Sequence, residues 1–209
     1  MLSDLKITEF LSRTASKDPV PGGGSISALA AALSAALSEM VAGLTVGKKE
    51  FESYEKEMTD ITKKARTLRE KLTLDIDRDS DAYNRVIRAF GLPNDTEENK
   101  NRRRQAILEG LKQASLAPLS VAKDAVELLD IAGQVVEKGN KNAVTDAAVA
   151  VMMARTAILG AILNVKINLD SIKDKAFVED LKNQIQGVRL KAEQREKDIL
   201  NKIDLMQSL

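Results

Sequence analysis

Carboxylates, amines, tyrosine hydroxyls and backbone amides must carry any chemistry in this chain, because its 209 residues include no histidine and no cysteine. That composition excludes Ser-His-Asp triads, HExxH metallopeptidases, thiolate nucleophiles and thiolate zinc sites. An enzyme built from these residues would use Asp, Glu, Lys or Tyr as its acid or base.

One aspartate stands out because it interrupts an apolar stripe on the longest predicted helix. The stripe advances in alternating steps of four and three residues, a coiled-coil-like spacing, through Tyr54, Met58, Ile61, Ala65, Leu68 and Leu72. One extra step of four, a stutter, continues it through Ile76, Asp79, Tyr83, Val86 and Phe90. Asp77 and Asp81 point to another side of the helix. Either Asp79 pairs with a buried cation and fixes helix register, or desolvation raises its pKa as a general base requires.

A glycine-rich turn is the second candidate for chemistry. The segment Pro19–Ser25 reads PVPGGGS and leads directly into a helix of small residues. Three glycines let the backbone approach a ligand closely, and a helix start offers free N–H groups to an anion or a carbonyl oxygen. The segment lacks the Lys-Ser/Thr of a phosphate-binding loop and follows no strand, so a merely flexible loop is the alternative.

Helices alone are predicted to position these residues. No alternating apolar and polar stretch of convincing length occurs, so we predict an all-α, single-domain helical bundle over residues 1–209. The predicted helices are 3–16, 25–44, 51–90, one from the turn at 91–95 to about 133 with a bend at Pro118, 142–168, and a last one through Met206.

Two of these helices are nearly uncharged. Ser25–Leu44 contains Glu39 as its one charged residue, and Ala143–Ile167 contains three charged residues in twenty-five. Both are long enough to cross a bilayer, but they are rich in Ala, Ser and Gly and lack aromatic belts. We expect no membrane insertion. Buried central helices, covered by the other helices or by a second subunit, explain them better and predict a homodimer.

The second uncharged helix also carries a stripe of small residues between polar ends. Its members are Asp146, Ala150, Met153, Ala157, Gly160, Asn164 and Asn168. Such a stripe suits the close approach of a flat ligand or of another helix, and periodicity favours helix packing.

Net charge and the first six residues bear on the partners and the cellular location of the protein. The formal net charge of +1 gives no global basic footprint, so we expect no nucleic-acid partner. The segment Met1–Lys6 has no basic stretch followed by an apolar run. With no cysteine either, a cytoplasmic location is expected.

Several motifs together resemble the cyclodeaminase/cyclohydrolase family. The run PGGGSISALAAALSAALSEMVAGLTVGKKEF from Pro21 is similar to the hallmark of that family, which includes the carboxy-terminal domain of formimidoyltransferase-cyclodeaminase and stand-alone methenyltetrahydrofolate cyclohydrolases. Further similar segments follow in family order: DRDSDAY from Asp77, Leu92-Pro93, GNKNAVTD from Gly139, and Gly160-Ala161 leading to NVKINL from Asn164. The resemblance covers nearly the whole chain.

The resemblance implies an all-helical homodimer that binds a tetrahydrofolate derivative near the subunit interface and acts on its N5/N10 one-carbon bridge. The catalytic aspartate falls on Asp79, with Asp77 as the nearest competitor. The pocket would be lined by Gly22, Gly23, Gly24 and Ser25, with polar contacts from Asn142, Asp146 and Asn164. Lys48 would meet a polyglutamate tail, unless it belongs to a solvated turn. Ser27 stands where the family pattern leads us to expect Ala.

Either folate reaction needs one base that can return its proton, and a carboxylate in an apolar pocket can serve. Neither reaction requires a metal or a redox cofactor, which agrees with the missing cysteine and histidine, so we expect neither. The lack of an attached formimidoyltransferase domain in this sequence favours cyclohydrolase over cyclodeaminase. The alternatives are a non-catalytic folate-binding or scaffolding helical dimer and a generic coiled-coil adaptor. The adaptor leaves the glycine turn and the small-residue stripe unexplained.

Overall fold

Helices and short turns make up the computed structural model of the chain, which describes residues 1–203 and contains no strand in that range. The helices are α1 (Ile7–Thr14), α2 (Gly23–Gly43), α3 (Glu55–Phe90), α4 (Glu97–Lys138), α5 (Val144–Leu169) and α6 (Lys175–Leu200). Short 3₁₀ segments occupy Leu2–Asp4, Lys49–Tyr54 and Lys141–Ala143. The all-α prediction is confirmed.

The small residues of α2 and α5 let these two helices pack closely and antiparallel at the centre of the bundle. Ser34 of α2 donates a 2.8 Å hydrogen bond to the carbonyl of Ala150 on α5. A β-carbon at Gly160 would overlap the hydroxyl of Ser27. The stripe on α5 is therefore a helix-packing surface along its middle, and the serine at position 27 fits because it faces a glycine.

Each central helix is buried on one side only. About half of the most apolar stretch lies inside the bundle, 56% for α2 and 50% for Lys141–Leu169, and both helices are long and apolar enough to cross a membrane. Large apolar side chains face outward on both helices: Leu33, Met40 and Leu44 on α2, and Val149, Leu163 and Ile167 on α5. The outer side of the α2–α5 pair is thus an extended apolar surface, which we call the α2–α5 face.

The buried stripe of α3 differs from the prediction beyond Leu72. Ile76, Asp79 and Val86 are buried or half-buried as predicted, but Asp75, Ala82 and Ala89 are buried as well, so the buried side of α3 is wider here than a single stripe. Tyr54, Tyr83 and Phe90, which were expected on the buried stripe, are 37%, 38% and 50% exposed. The stripe therefore carries two carboxylates, and the aromatic residues near its end face outward.

Helix α4 runs through Pro118, as predicted, and continues past Gly133, where it was expected to end. Pro118 has no N–H to donate to the carbonyl of Ala114, and Asn168 of α5 donates to that carbonyl instead, at 2.8 Å. Gly133 does not end the helix, which runs to Lys138. A β-carbon at Gly133 would lie 2.9 Å from Ile199, so this glycine allows the close approach of α6.

The terminal helices are shorter than predicted. The predicted helix 3–16 is a 3₁₀ turn followed by α1. Asp174 accepts a hydrogen bond from the amide of Phe177 and so begins α6, which ends at Leu200 and not at Met206. Met206 itself lies outside the described residues.

Candidate active site

Asp79 lies against the first turn of α2, and Gly24 makes this contact possible. A β-carbon at position 24 would overlap all three atoms of the Asp79 carboxylate. Gly24 is buried and has no positive φ, so the glycine is needed for space and not for backbone conformation. Two segments that the sequence singled out independently, the glycine turn and the acidic segment of α3, therefore meet at one point.

Ser25 joins the two helices at that point through a buried hydroxyl. Its Oγ lies 2.9 Å from the carbonyl oxygen of Ile76, 3.2 Å from Oδ2 of Asp79 and 3.1 Å from Oγ of Ser80. Ser25 is completely buried and Ser80 nearly so. This network fixes the position of the carboxylate relative to the start of α2.

Backbone N–H groups at the start of α2 lie beside the same carboxylate. The first hydrogen bond within α2 runs from the amide of Ile26 to the carbonyl of Gly22, so the three preceding amides have no partner along the helix. The amide of Ser25 donates to Asp79, which leaves those of Gly23 and Gly24 for a ligand. The residue at the N-cap position, Gly22, has no side chain to cap this helix start. A polar or partly negative oxygen of a ligand would therefore meet N–H donors and the positive end of the helix dipole next to Asp79.

Burial raises the pKa of Asp79 above its ordinary value. Hydrogen bonds from the side chain and backbone of Ser25 favour the charged form, but they only partly offset the loss of solvation. Asp79 has no salt-bridge partner in residues 1–203, so it does not form the structural ion pair that was the alternative. A carboxylate of this kind can accept a proton and return it.

Asn164 of α5 lies on the other side of the glycine turn. A β-carbon at Gly23 would be 3.1 Å from its Nδ2, and this Nδ2 donates a 2.8 Å hydrogen bond to the carbonyl of Gly160. Within residues 1–203 its amide oxygen accepts no hydrogen bond, so it can contact a ligand. The structure thus brings together most of the predicted site: Gly22, Gly23, Gly24, Ser25, Asp79 and Asn164.

Asp77 belongs to a different environment, although it is only two residues from Asp79. Its carboxylate accepts hydrogen bonds from the amide of Leu2 at 2.5 Å and from the amide and hydroxyl of Ser3 at 3.2 and 2.6 Å. Burial alone would raise the pKa of Asp77, but these hydrogen bonds outweigh it and hold the pKa below its ordinary value. The side chain anchors the amino-terminal turn and does not face the glycine turn.

Three other predicted contacts lie at the far end of the central helix pair. Lys48 follows the end of α2, and Asn142 and Asp146 lie at the start of α5. Asn140 joins these two regions, because its backbone amide donates to the hydroxyl of Thr45 at 2.9 Å. The 21 residues from Gly23 to Gly43 rise about 30 Å, so within one chain these three residues are remote from Asp79.

Sequence reasoning missed Asp75, which is the second carboxylate on the buried stripe of α3. It is 5% exposed, and its Oδ2 has no hydrogen-bond partner in the described part of the chain. Burial raises its pKa, while the charges of Lys71 and Arg78 oppose that shift. An unbroken heptad reading would have found Asp75. Among residues 1–203, no group of three or more carboxylates is arranged to hold a metal ion.

Comparison with known proteins identifies the family to which this fold belongs. The profile of the formiminotransferase-cyclodeaminase family matches residues 6–187, and the chain belongs to that family. It is 38% identical over 192 residues to a methenyltetrahydrofolate cyclohydrolase of Methylorubrum extorquens, covering 92% of each chain. It is 32% identical over 199 residues to the formimidoyltransferase-cyclodeaminase of Sus scrofa, covering 95% of this chain but only 37% of the pig protein.

A solved structure shows the same fold over the whole chain. The formiminotetrahydrofolate cyclodeaminase of Thermotoga maritima superposes with a TM-score of 0.88 at 26% identity, over 98% of each chain. The family resemblance inferred from the motifs is therefore confirmed, and with it the expectation of a folate one-carbon enzyme.

Proposed function

We propose that the chain hydrolyses the N5/N10 methenyl bridge of a tetrahydrofolate derivative, with Asp79 as the general base. The observation that carries this proposal is the half-buried Asp79 carboxylate held by Ser25 at the start of α2. The Methylorubrum relative, named for this activity and matched along nearly its full length, supports the choice of reaction.

The geometry suits the chemistry of hydrolysis. Water attacks the cationic methenyl carbon while Asp79 removes one of its protons. The C–N bond to one bridge nitrogen then breaks, and that nitrogen takes the proton from Asp79. The hydroxyl of the adduct loses its own proton as the formyl C=O forms, so one cation and one water give a neutral formyl product and one proton. The α2 amides can hold the developing oxygen, and the carboxylate stabilises the methenyl cation.

Cyclodeamination is the second candidate, because the Thermotoga structure that superposes on the whole chain carries that name. In that reaction N10 attacks the formimino carbon and loses a proton, while the departing ammonia gains one. A single carboxylate that accepts and returns a proton serves here too.

An absorbance assay separates these candidates. Purified protein is given methenyltetrahydrofolate, and loss of its absorbance above the uncatalysed rate is expected. A second assay supplies formiminotetrahydrofolate and measures ammonia. If only formiminotetrahydrofolate is turned over, the activity of the protein is cyclodeaminase and not cyclohydrolase. Tight binding of both substrates without turnover would instead identify a non-catalytic folate-binding or scaffolding protein.

We further propose a homodimer that forms through the α2–α5 face. Six large apolar side chains are exposed along the full length of this helix pair, which is more than an isolated soluble chain normally leaves in contact with water. In a two-fold dimer the same surface meets itself. Antiparallel pairing across the axis places the far end of one copy, with Lys48, Asn142 and Asp146, beside the Asp79 end of the other. This arrangement reunites all the predicted contacts.

Sedimentation tests the dimer with a matched pair of variants. Ile167→Glu puts a charge on the α2–α5 face, and we expect it to give monomers with lower activity. Leu74→Glu is the control, because Leu74 is similarly exposed, at 59% against 67%, but lies on α3 away from this face. A wild-type chain that is monomeric at micromolar concentration would contradict the proposal.

Within such a dimer, Lys48 is placed to meet a polyglutamate tail of the substrate. Lys48→Ala is then expected to raise KM for a polyglutamylated substrate and to leave KM for the monoglutamate unchanged. If Lys48→Ala leaves KM unchanged for both substrates, Lys48 makes no contact with the tail and belongs to a solvated turn. A cytoplasmic location and the absence of a cofactor, a membrane or a nucleic-acid partner stay predictions from the sequence.

A further inference from the structure

Helices α3 and α5 both continue past the point where α2 begins. Gly24, next to the start of α2, contacts Asp79, and α3 then runs eleven residues further to Phe90, a rise of about 16 Å. Helix α2 is antiparallel to α3, because Glu39 near its end pairs with Arg66 and Arg69. The part of α3 beyond Asp79 therefore has no α2 to pack against.

The residues of α3 that face this space are aromatic and apolar. Tyr83 lies one turn beyond Asp79 on the same helix face, and Ile87 and Phe90 follow on that face. They are 38%, 49% and 50% exposed. The chain has only six aromatic residues, and two of them stand on this short stretch. We call Tyr83, Ile87 and Phe90 the α3 stripe.

Tyr83 is the member of the α3 stripe best placed to touch a ligand of Asp79. Long side chains on a helix lean toward its amino terminus, so the Tyr83 ring leans over the turn that contains Asp79. Its hydroxyl has no hydrogen-bond partner in residues 1–203. The ring of Phe90, by contrast, lies 6.0 Å from the guanidinium of Arg103, which also donates to the Phe90 carbonyl.

We propose that the ring of Tyr83 is a wall of the substrate site, against which the planar ring system of the folate substrate stacks while its one-carbon bridge faces Asp79. This inference rests on the proposed function. In this arrangement the α2 amides contact one side of the one-carbon bridge, and the Tyr83 ring contacts the substrate on the side of Asp79. Stacking on an aromatic wall would hold the bridge at the carboxylate and exclude water from one face of the ring.

Kinetic constants test this role. Tyr83→Ala should raise KM for methenyltetrahydrofolate about tenfold, the loss expected for one aromatic stacking partner. Tyr83→Phe keeps the ring and should stay within about twofold of wild type. Tyr54→Ala is the matched control, because Tyr54 is equally exposed, at 37%, at the opposite end of α3. An unchanged KM in Tyr83→Ala, with wild-type turnover intact, overturns the stacking role and leaves the proposed function standing.

Tyrosine fluorescence gives a second readout, since the chain has no tryptophan and only two tyrosines. Tyr54→Phe leaves Tyr83 as the emitter, and Tyr83→Phe leaves Tyr54. Added 5-formyltetrahydrofolate should quench the first protein more strongly than the second, with equal light absorption by the ligand in both. Equal quenching would contradict contact with Tyr83.

Sedimentation distinguishes substrate from a second subunit as the occupant of this space. Tyr83→Ala should keep the oligomeric state of the wild type. A shift to monomers would assign Tyr83 to a subunit contact and overturn the proposal. If the wild type neither binds nor turns over a folate substrate, the proposed function is wrong, and the role of Tyr83 that rests on it is wrong too.

Discussion

Two sides of one helix show how environment, and not residue type, decides what a carboxylate does. Asp77 and Asp79 are two residues apart on α3, yet hydrogen bonds lower the pKa of the first while burial raises the pKa of the second. Asp77 accepts three hydrogen bonds from the amino-terminal turn. Asp79 lies against a glycine turn and is fixed by Ser25. The first environment stabilises charge and anchors the chain, and the second keeps a base ready to take a proton.

The largest effect that separates the two sides is expected from Asp79→Asn. The amide keeps the size of the side chain but cannot accept the proton, so kcat should fall about 10²–10⁴-fold while substrate binding is largely retained. The measurement is turnover at saturating substrate together with the thermal midpoint. Near-wild-type turnover, or a defect explained by unfolding alone, would show that Asp79 is structural.

Gly24→Ala tests the packing on the Asp79 side. The added methyl group would overlap the carboxylate, and displacement of a catalytic group by about 1 Å can cost about 10² in rate. Gly43→Ala is the control at the other end of α2, because nothing lies within 4 Å of the methyl group it adds. We expect a large loss of kcat in the first variant and none in the second. Equal activities would mean that the site does not need the close contact.

Asp77→Asn should lower stability while turnover is kept. Loss of charge-assisted hydrogen bonds to the partly exposed amino-terminal turn should cost about 1 kcal/mol at pH 7. Because the folded-state pKa is lowered, this stabilisation is present above the unfolded-state value and is lost as pH falls through the folded-state value. Urea unfolding at pH 7 and at acid pH measures the difference, with the exposed Asp81→Asn as control. If Asp77→Asn lowered kcat as much as Asp79→Asn does, Asp77 would have a catalytic role and the account given for the two aspartates would be wrong.

Asp75→Asn is expected to have the smallest effect, and in the opposite direction. Because the folded-state pKa of Asp75 is raised, its contribution to stability is fully present below the unfolded-state value and is lost as pH rises through the folded-state value. Removing that ionisation should therefore stabilise the protein at pH 7, by about 2–4 °C in thermal midpoint for each kcal/mol gained. The gain should shrink as pH falls. A lower midpoint at pH 7 would show that the pair with Arg78 outweighs burial.

The sequence predicted the parts of the site that depend on local pattern. The glycine turn and the acidic segment of α3 were visible as motifs, and the apolar steps from Met58 to Leu72 were correct. Asp75 was missed because its apolar neighbour Ile76 was chosen as the next position of the stripe after Leu72. In the structure both Asp75 and Ile76 are buried, and the buried side of α3 carries two carboxylates, Asp75 and the half-buried Asp79.

Features that depend on where one helix begins beside another were beyond reach of the sequence. Tyr83 and Phe90 were expected to be buried, but α2 begins beside Asp79 and leaves them exposed. Gly133 was expected to end α4, since glycine often follows the end of a helix. Its actual role, to make room for Ile199 of α6, depends on tertiary packing and is not visible in the local sequence. Similarly, only the antiparallel packing of α2 and α5 shows that Lys48, Asn142 and Asp146 lie far from Asp79 in one chain.

The pH dependence of kcat/KM tests most directly the central claim that Asp79 is the base. It is measured for the wild type, Asp77→Asn and Asp79→Asn, with the uncatalysed rate subtracted at each pH. The base must be ionised in the free enzyme, so the wild type should lose activity as pH falls through a value above the ordinary pKa of an aspartate. Asp77→Asn should show the same loss of activity at acid pH (the acid limb of the profile), and the residual activity of Asp79→Asn should not show it. An acid limb that persists unchanged in Asp79→Asn would contradict the account.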